Sequence, residues 1–165
     1  MAKMQIRGLS EYSKQLNQLY DDADEIIKRS LYDGMAVMKS AIESAIDTIP
    51  TRTKGFAKPG EVLTGITNSQ KKGLKESFGI TPMKEDGSVW NVKCGFDGYN
   101  NVKTDKFPNG QPNQLIARSI NSGTSWLQAT HFVDKAVRAN KEACMQAMSD
   151  TCDDEIKQRT GGIEE

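Results

Sequence analysis

The stretch "SEYSKQLNQLYDDADEIIKRSLYDGMAVMKSAIESAIDTIP", Ser10 to Pro50, decides how the chain is organised. Apolar residues return every three or four positions through Leu16, Leu19, Ala23, Ile27, Leu31, Met35, Met38, Ile42, Ile46 and Ile49. That period puts one apolar stripe on a helix. Ser10 is placed to cap its start and Pro50 to close it. A straight helix of this length would run roughly 60 Å at 1.5 Å per residue. A domain of 165 residues is expected to break or bend it, at Asp21-Asp22 or at Gly34.

Before this stretch, "KMQIRGL" alternates like a brief edge strand. After it, residues 51–68 are rich in glycine, proline, threonine and lysine without a period, and read as a mobile loop. "SQKKGLKESF" suits a short helix. Two runs flank Asp86-Gly87, a dipeptide suited to a hairpin turn. Ile80 to Met83 is one expected strand and Val89 to Phe96 the other, with Trp90, Val92, Cys94 and Phe96 facing inward. Residues 97–112 are polar and read as a second mobile loop.

"NQLIARSINSGTSWLQATHFVDKAVRA", Asn113 to Ala139, opens as a short helix through Leu115, Ile116, Ser119 and Ile120, with Gly123 placed to end it. Val133, Ala136, Val137, Cys144, Ala147, Met148, Cys152 and Ile156 then mark a long C-terminal helix. The expectation is one α+β domain over 1–165, its two long helices packed on one face of a small antiparallel sheet, with a frayed acidic C-terminus.

Composition narrows the function. Hydrophobic residues make up 36% and charged residues 27%, the balance of a soluble protein. No apolar run approaches the ~18 residues of a membrane helix, and no secretion signal is visible, so a cytoplasmic site of synthesis is expected. Cys94, Cys144 and Cys152 form no CxxC pair and read as reduced thiols. With a single histidine, no zinc set is expected, and no cofactor. Lys+Arg and Asp+Glu balance at 22 each, so no specific nucleic-acid partner is expected, although Lys71, Lys72 and Lys75 cluster. Charge is nevertheless uneven. Residues 52–106 hold ten Lys/Arg and six Asp/Glu, whereas the end from Ser149 is acidic, with Asp153, Asp154 and Glu155 at its centre. These two segments are the candidate assembly patches.

Known nucleotide, zinc-protease and nucleophile-elbow motifs are absent. His131 is the one histidine. Paired with Cys94 or a serine it would make a small cytoplasmic hydrolase, but no local pattern marks a nucleophile or an orienting carboxylate. Its plainer role is a ring packed where two segments join.

Three stretches carry a resemblance: "MQIRGLSEYSKQLNQL", "TGITNSQKKGLKESFGI", and "CGFDGYNN" followed by "GQPNQLIARSINSGTSWLQATHFVDKAVRANKEA". Together they resemble the tail-component family of long-tailed bacteriophages, the HK-ninety-seven gp-ten-like family, also described as tail-completion or head–tail joining proteins. The likeness covers nearly the whole chain in order, and its most specific part is Ser122-Gly123-Thr124-Ser125 followed by His131-Phe132. The family's usual proline between histidine and phenylalanine is missing, and "WLQAT" lengthens the preceding spacing. The resemblance implies no enzyme and a structural joint formed by Gly123, Thr124, Ser125, His131 and Phe132. In that joint the glycine allows the turn, the two hydroxyls tie it, and Phe132 anchors the last helix. It also implies a virion protein assembled in the bacterial host cytoplasm. Its partners would be copies of itself in a neck ring and neighbouring tail and connector proteins, with no membrane partner. A tail terminator or another connector ring is the alternative within the same class.

Overall fold

In the computed structural model the described residues are 8–53, 57–87 and 89–161. The edge strand expected at Met4–Ile6 lies outside them, as do the last four residues, whereas the rest of the acidic C-terminus, expected to fray from Ser149, is helix up to Thr160. Two long helices dominate: α1 (Leu9–Thr48) and α4 (Phe132–Thr160). Between them come β1 (Thr51–Arg52), β2 (Ile66–Thr67), α2 (Asn68–Ser77), β3 (Phe78–Ile80), β4 (Lys84–Asp86), β5 (Val89–Asn91), β6 (Cys94–Phe96) and α3 (Asn113–Ser122). The architecture is the expected α+β one.

The first helix departs from expectation in three ways. It begins at Leu9, after Gly8 in the left-handed region, with Tyr12 N donating to Gly8 O, so Ser10 lies inside its first turn rather than at the cap. It runs unbroken for 40 residues. The reason is α4, which lies alongside as a second long helix and buries a continuous seam, so no fold-back is needed. Gly34, a candidate break, is instead the point of closest approach: a Cβ there would meet Met148 Cγ and Cε at 2.4 Å and Cys144 O at 3.0 Å.

The seam also differs from the apolar stripe. From the start of α1 to Gly34 the buried residues are Ile26, Ser30 and Gly34, while Leu16 and Ile27 are exposed. Small residues let the helices approach, and polar pairs stitch them together. Gln15 Nε2 donates to Thr160 O, Thr151 Oγ1 donates to Asp33, and Arg159 pairs with Asp22. The helices are therefore antiparallel.

The apolar core sits at the other end. Ile42 and Ile46 of α1 and Ile49 just after it pack with Leu63, Ile66, Leu74, Phe78, Ile116, Ile120, Leu127 and Phe132. Burial of aliphatic and aromatic side chains at ~25 cal/mol per Å² makes this cluster the main source of stability. It draws a residue or more from nearly every segment between the long helices, which is why they close over the end of α1.

The sheet is smaller than expected and divided. β3 pairs with β6 and β4 with β5, both antiparallel. Between the two ladders Thr81, Pro82 and Met83 stand opposite Val92 and Lys93. The extra residue makes a bulge, and Pro82 has no N–H for a ladder. The first strand thus lies at Phe78–Ile80 rather than Ile80–Met83. The Trp90, Val92, Cys94, Phe96 face is half-buried. Trp90 rests outside the core, under Lys28 Nζ at 3.9 Å, and donates through Nε1 to Asp24.

The two loops carry more structure than their composition indicates. Within 51–68, β1 and β2 form a parallel pair, and Leu63 exchanges backbone hydrogen bonds with Trp126 and Gln128. Within 97–112, Asn100 is buried. Its Oδ1 accepts from Val102 N and Gln111 N, so a polar side chain does the work of a turn.

Candidate functional site

The joint between α3 and α4 follows from its sequence. Gly123 ends α3 at φ 76, and a Cβ there would lie 2.9 Å from Ala129 N and 3.0 Å from Ala129 Cβ. Only glycine fits such a turn. Thr124 N donates to Leu127 O, and Thr124 Oγ1 accepts from Trp126 N. Thr130 returns the chain to α3, its N and Oγ1 both donating to Ile120 O. Phe132 is 4% exposed, and its ring meets Phe96 edge-on at 6.3 Å between centroids.

Two expectations for the joint are corrected. Ser125 is exposed and its side chain bonds no described residue, so Thr124 and Thr130 tie the turn. His131 is not packed: it is exposed, its Nδ1 3.4 Å from Asp134 Oδ2. Its contribution is made by the backbone. At φ 53 and ψ 34 it is the one non-glycine described residue with positive φ, and it turns the chain into α4. The side-chain cap comes from Asn121 of α3, whose Oδ1 accepts from Val133 N at 3.0 Å while its Nδ2 donates to Asp134. Free donors at a helix start need such an acceptor. The sequence alone hid Asn121 because it lies eleven residues before the helix it caps.

Cys94 lies among half-buried strand residues, and burial pushes its thiol up, as it does for Cys144. That is the opposite of the lowered thiol pKa that activates a nucleophile. Among the described residues no group of three or more His, Cys, Asp or Glu could hold a metal ion, and no helix is long and apolar enough to cross a membrane.

The expected charge patches are only partly free. Lys71 Nζ donates to Asp47 O at 2.7 Å and Ile49 O at 2.9 Å, and Lys75 pairs with Asp47 at 2.6 Å. Lys71 thus caps the carbonyl end of α1, whose own last turn has no basic residue, and Lys75 balances the Asp47 carboxylate beside it. Lys72 alone of the three points away, beside Glu76. At the acidic end Asp153 and Asp154 are exposed, but Glu155 is buried between Arg29 and Arg159. Hydrogen bonds from Arg159 first and Arg29 second hold its carboxyl below the usual range. Glu155 therefore stitches α4 to α1 and is not an assembly contact.

A cleft opens beside the joint. About 900 Å³ in volume, it lies between residues 57–61, the start of α2 and the Ser125-Trp126 turn. Next to it is a recess of about 150 Å³ walled by Phe107, Leu115, Ile116 and Trp126. The two segments expected to be loops, 51–68 and 97–112, thus converge on one apolar surface. No family model, curated protein or solved structure matches the chain.

Proposed function

We propose that this chain is a structural virion protein of a long-tailed bacteriophage, a tail-completion or head–tail joining component that acts as one subunit of a ring at the neck. The observation that carries the reading is apolar surface that no described residue covers. Leu9, Tyr12, Leu16 and Tyr20 stand exposed at one end of a 40-residue helix, while Trp126 and Leu115 stand exposed at the other. Apolar surface of that extent marks interaction sites. The resemblance in segment order supplies the kind of assembly.

A hydrolase built on His131 has less support. The ring is exposed beside Asp134, and the Cys94 thiol is held protonated by burial. Partners on this reading are other copies of the chain and neighbouring tail and connector proteins, with assembly in the host cytoplasm and residence in the virion.

The test is co-sedimentation of the purified chain with tail tubes and with the terminator protein encoded in the same genome. Pelleting with them at a fixed ratio is the expected result. A chain that stays in the supernatant with both overturns the reading.

A further inference from the structure

The two uncovered apolar surfaces differ in shape. One is convex: Leu9, Tyr12, Leu16 and Tyr20, 63%, 54%, 48% and 83% exposed, fall on one face of α1 at spacings of three and four. α4 stops beside Gln15, so among the described residues the first turn and a half of α1 has no helix next to it. The other is concave: the cleft and its recess, edged by Trp126 and Leu115 at 46% and 43% exposed. The cleft begins at Arg52, just past the end of α1, so about 40 Å of helix separates it from Tyr20 at 1.5 Å per residue. The surfaces lie at opposite ends and cannot meet within one chain.

Their charges are opposite as well. Residues 9–25 of α1 carry Glu11, Asp21, Asp22, Asp24 and Glu25 against Lys14, with Arg159 of α4 paired to Asp22 at that end. The segments around the cleft carry Arg52, Lys58, Lys103 and Lys106 against Glu61 and Asp105. Stripe against stripe would oppose two acidic segments, whereas stripe against cleft brings acid to base.

We propose that the cleft takes the Leu9–Tyr20 stripe of a second copy of this chain. The proposal rests on the ring reading and deepens it: ring closure requires one patch to meet a different patch on the next copy. Here the convex patch is the start of α1 and the concave one is the surface shared by residues 57–61, 102–111 and Trp126. The contact replaces the expected one between Lys71, Lys72 and Lys75 and Asp153, Asp154 and Glu155, of which Lys71, Lys75 and Glu155 are occupied within the chain.

Two variants test it: Leu16→Lys with Tyr20→Lys, which spoils only the stripe, and Trp126→Glu, which spoils only the cleft. All three sites are exposed, and circular dichroism checks that each variant folds. Sedimentation velocity of the unaltered chain should show association beyond a dimer. Each variant alone should remain a monomer at concentrations on the order of a hundredfold higher, the loss that interface anchors carry. Mixed, the two should form a one-to-one dimer and nothing larger, because one intact stripe and one intact cleft remain. Three results overturn the proposal: an unaltered chain that stays monomeric, a Trp126→Glu variant that associates by itself, or a mixture that yields no dimer. Rings that persist in both variants also overturn it and leave the ring reading standing. Open chains without closed rings, with the mixture behaving as described, count against the ring reading and not against the contact.

Discussion

Removing the Phe132 ring tests whether the α3–α4 joint is held by packing. Phe132 is the first residue of α4, 4% exposed, with Phe96 edge-on and Phe96 in turn 4.8 Å from Phe78. Truncation to alanine forfeits the transfer energy of the ring and leaves a cavity, together ~3–5 kcal/mol. Loss of the aromatic pair is contained in that range and accounts for ~0.5–1.5 kcal/mol of it. His131, one residue earlier, is exposed and needed for its backbone at φ 53. Asparagine tolerates that region, so His131→Asn should change stability by less than ~0.5 kcal/mol. His131→Val should cost ~1–2 kcal/mol, because a β-branched residue resists positive φ. Urea unfolding followed by far-ultraviolet circular dichroism measures all three from the midpoints. A Phe132→Ala loss under about 1 kcal/mol, or a His131→Asn loss equal to it, would refute the packing argument.

Gly34→Ala should destabilise by ~1–2 kcal/mol despite the better helix propensity of alanine, since its Cβ would press on Met148; the penalty should shrink in a Met148→Ala background, and an unchanged penalty in that double-mutant cycle would contradict the close approach. Lys71→Met should cost ~1 kcal/mol by uncovering the carbonyl end of α1, whereas Lys72→Met should cost almost nothing; equal thermal shifts would place no cap at Lys71. Glu155 has a folded-state pKa below its unfolded one, so the stability it adds is present above the unfolded value near ~4.3 and is lost as pH falls through the folded value. Stability of Glu155→Gln, measured from neutral pH into acid, should lie below the parent at neutrality and converge on it in acid; a gap that stays constant would remove the ionised carboxylate from the seam.

The element order was legible because periodicity and turn chemistry are local. The stripe from Leu16 to Ile49 marked α1, Gly123 marked the end of α3, and Asp86-Gly87 marked the hairpin. What the sequence withheld were relations between distant residues. Period alone cannot tell which flank of α1 meets α4, so Ile26, Ser30 and Gly34 were hidden behind a more apolar stripe beside them. Nor does it reveal that α4 spares α1 from folding back. The candidate site was legible in part. Gly123, Thr124 and Phe132 hold the places expected of them, while Ser125 and His131 face solvent. Lys71 and Lys75 looked like free charge because their partners, the carbonyls and Asp47 at the end of α1, are far away in sequence, as is Arg29, which reaches Glu155 from across the seam. The Trp126 cleft had no local signal, since its walls come from segments scattered between Arg52 and Trp126.

If the proposed neck role holds, the most direct measurement is cryo-electron microscopy of phage particles made with and without the gene for this chain. With the gene, the neck should show a ring whose repeating unit holds an antiparallel pair of long helices, one about 60 Å long at 1.5 Å per residue. Without it, filled heads and finished tails should accumulate unjoined, and that ring should be missing. Joined particles with an unchanged neck in the absence of the gene would contradict the account.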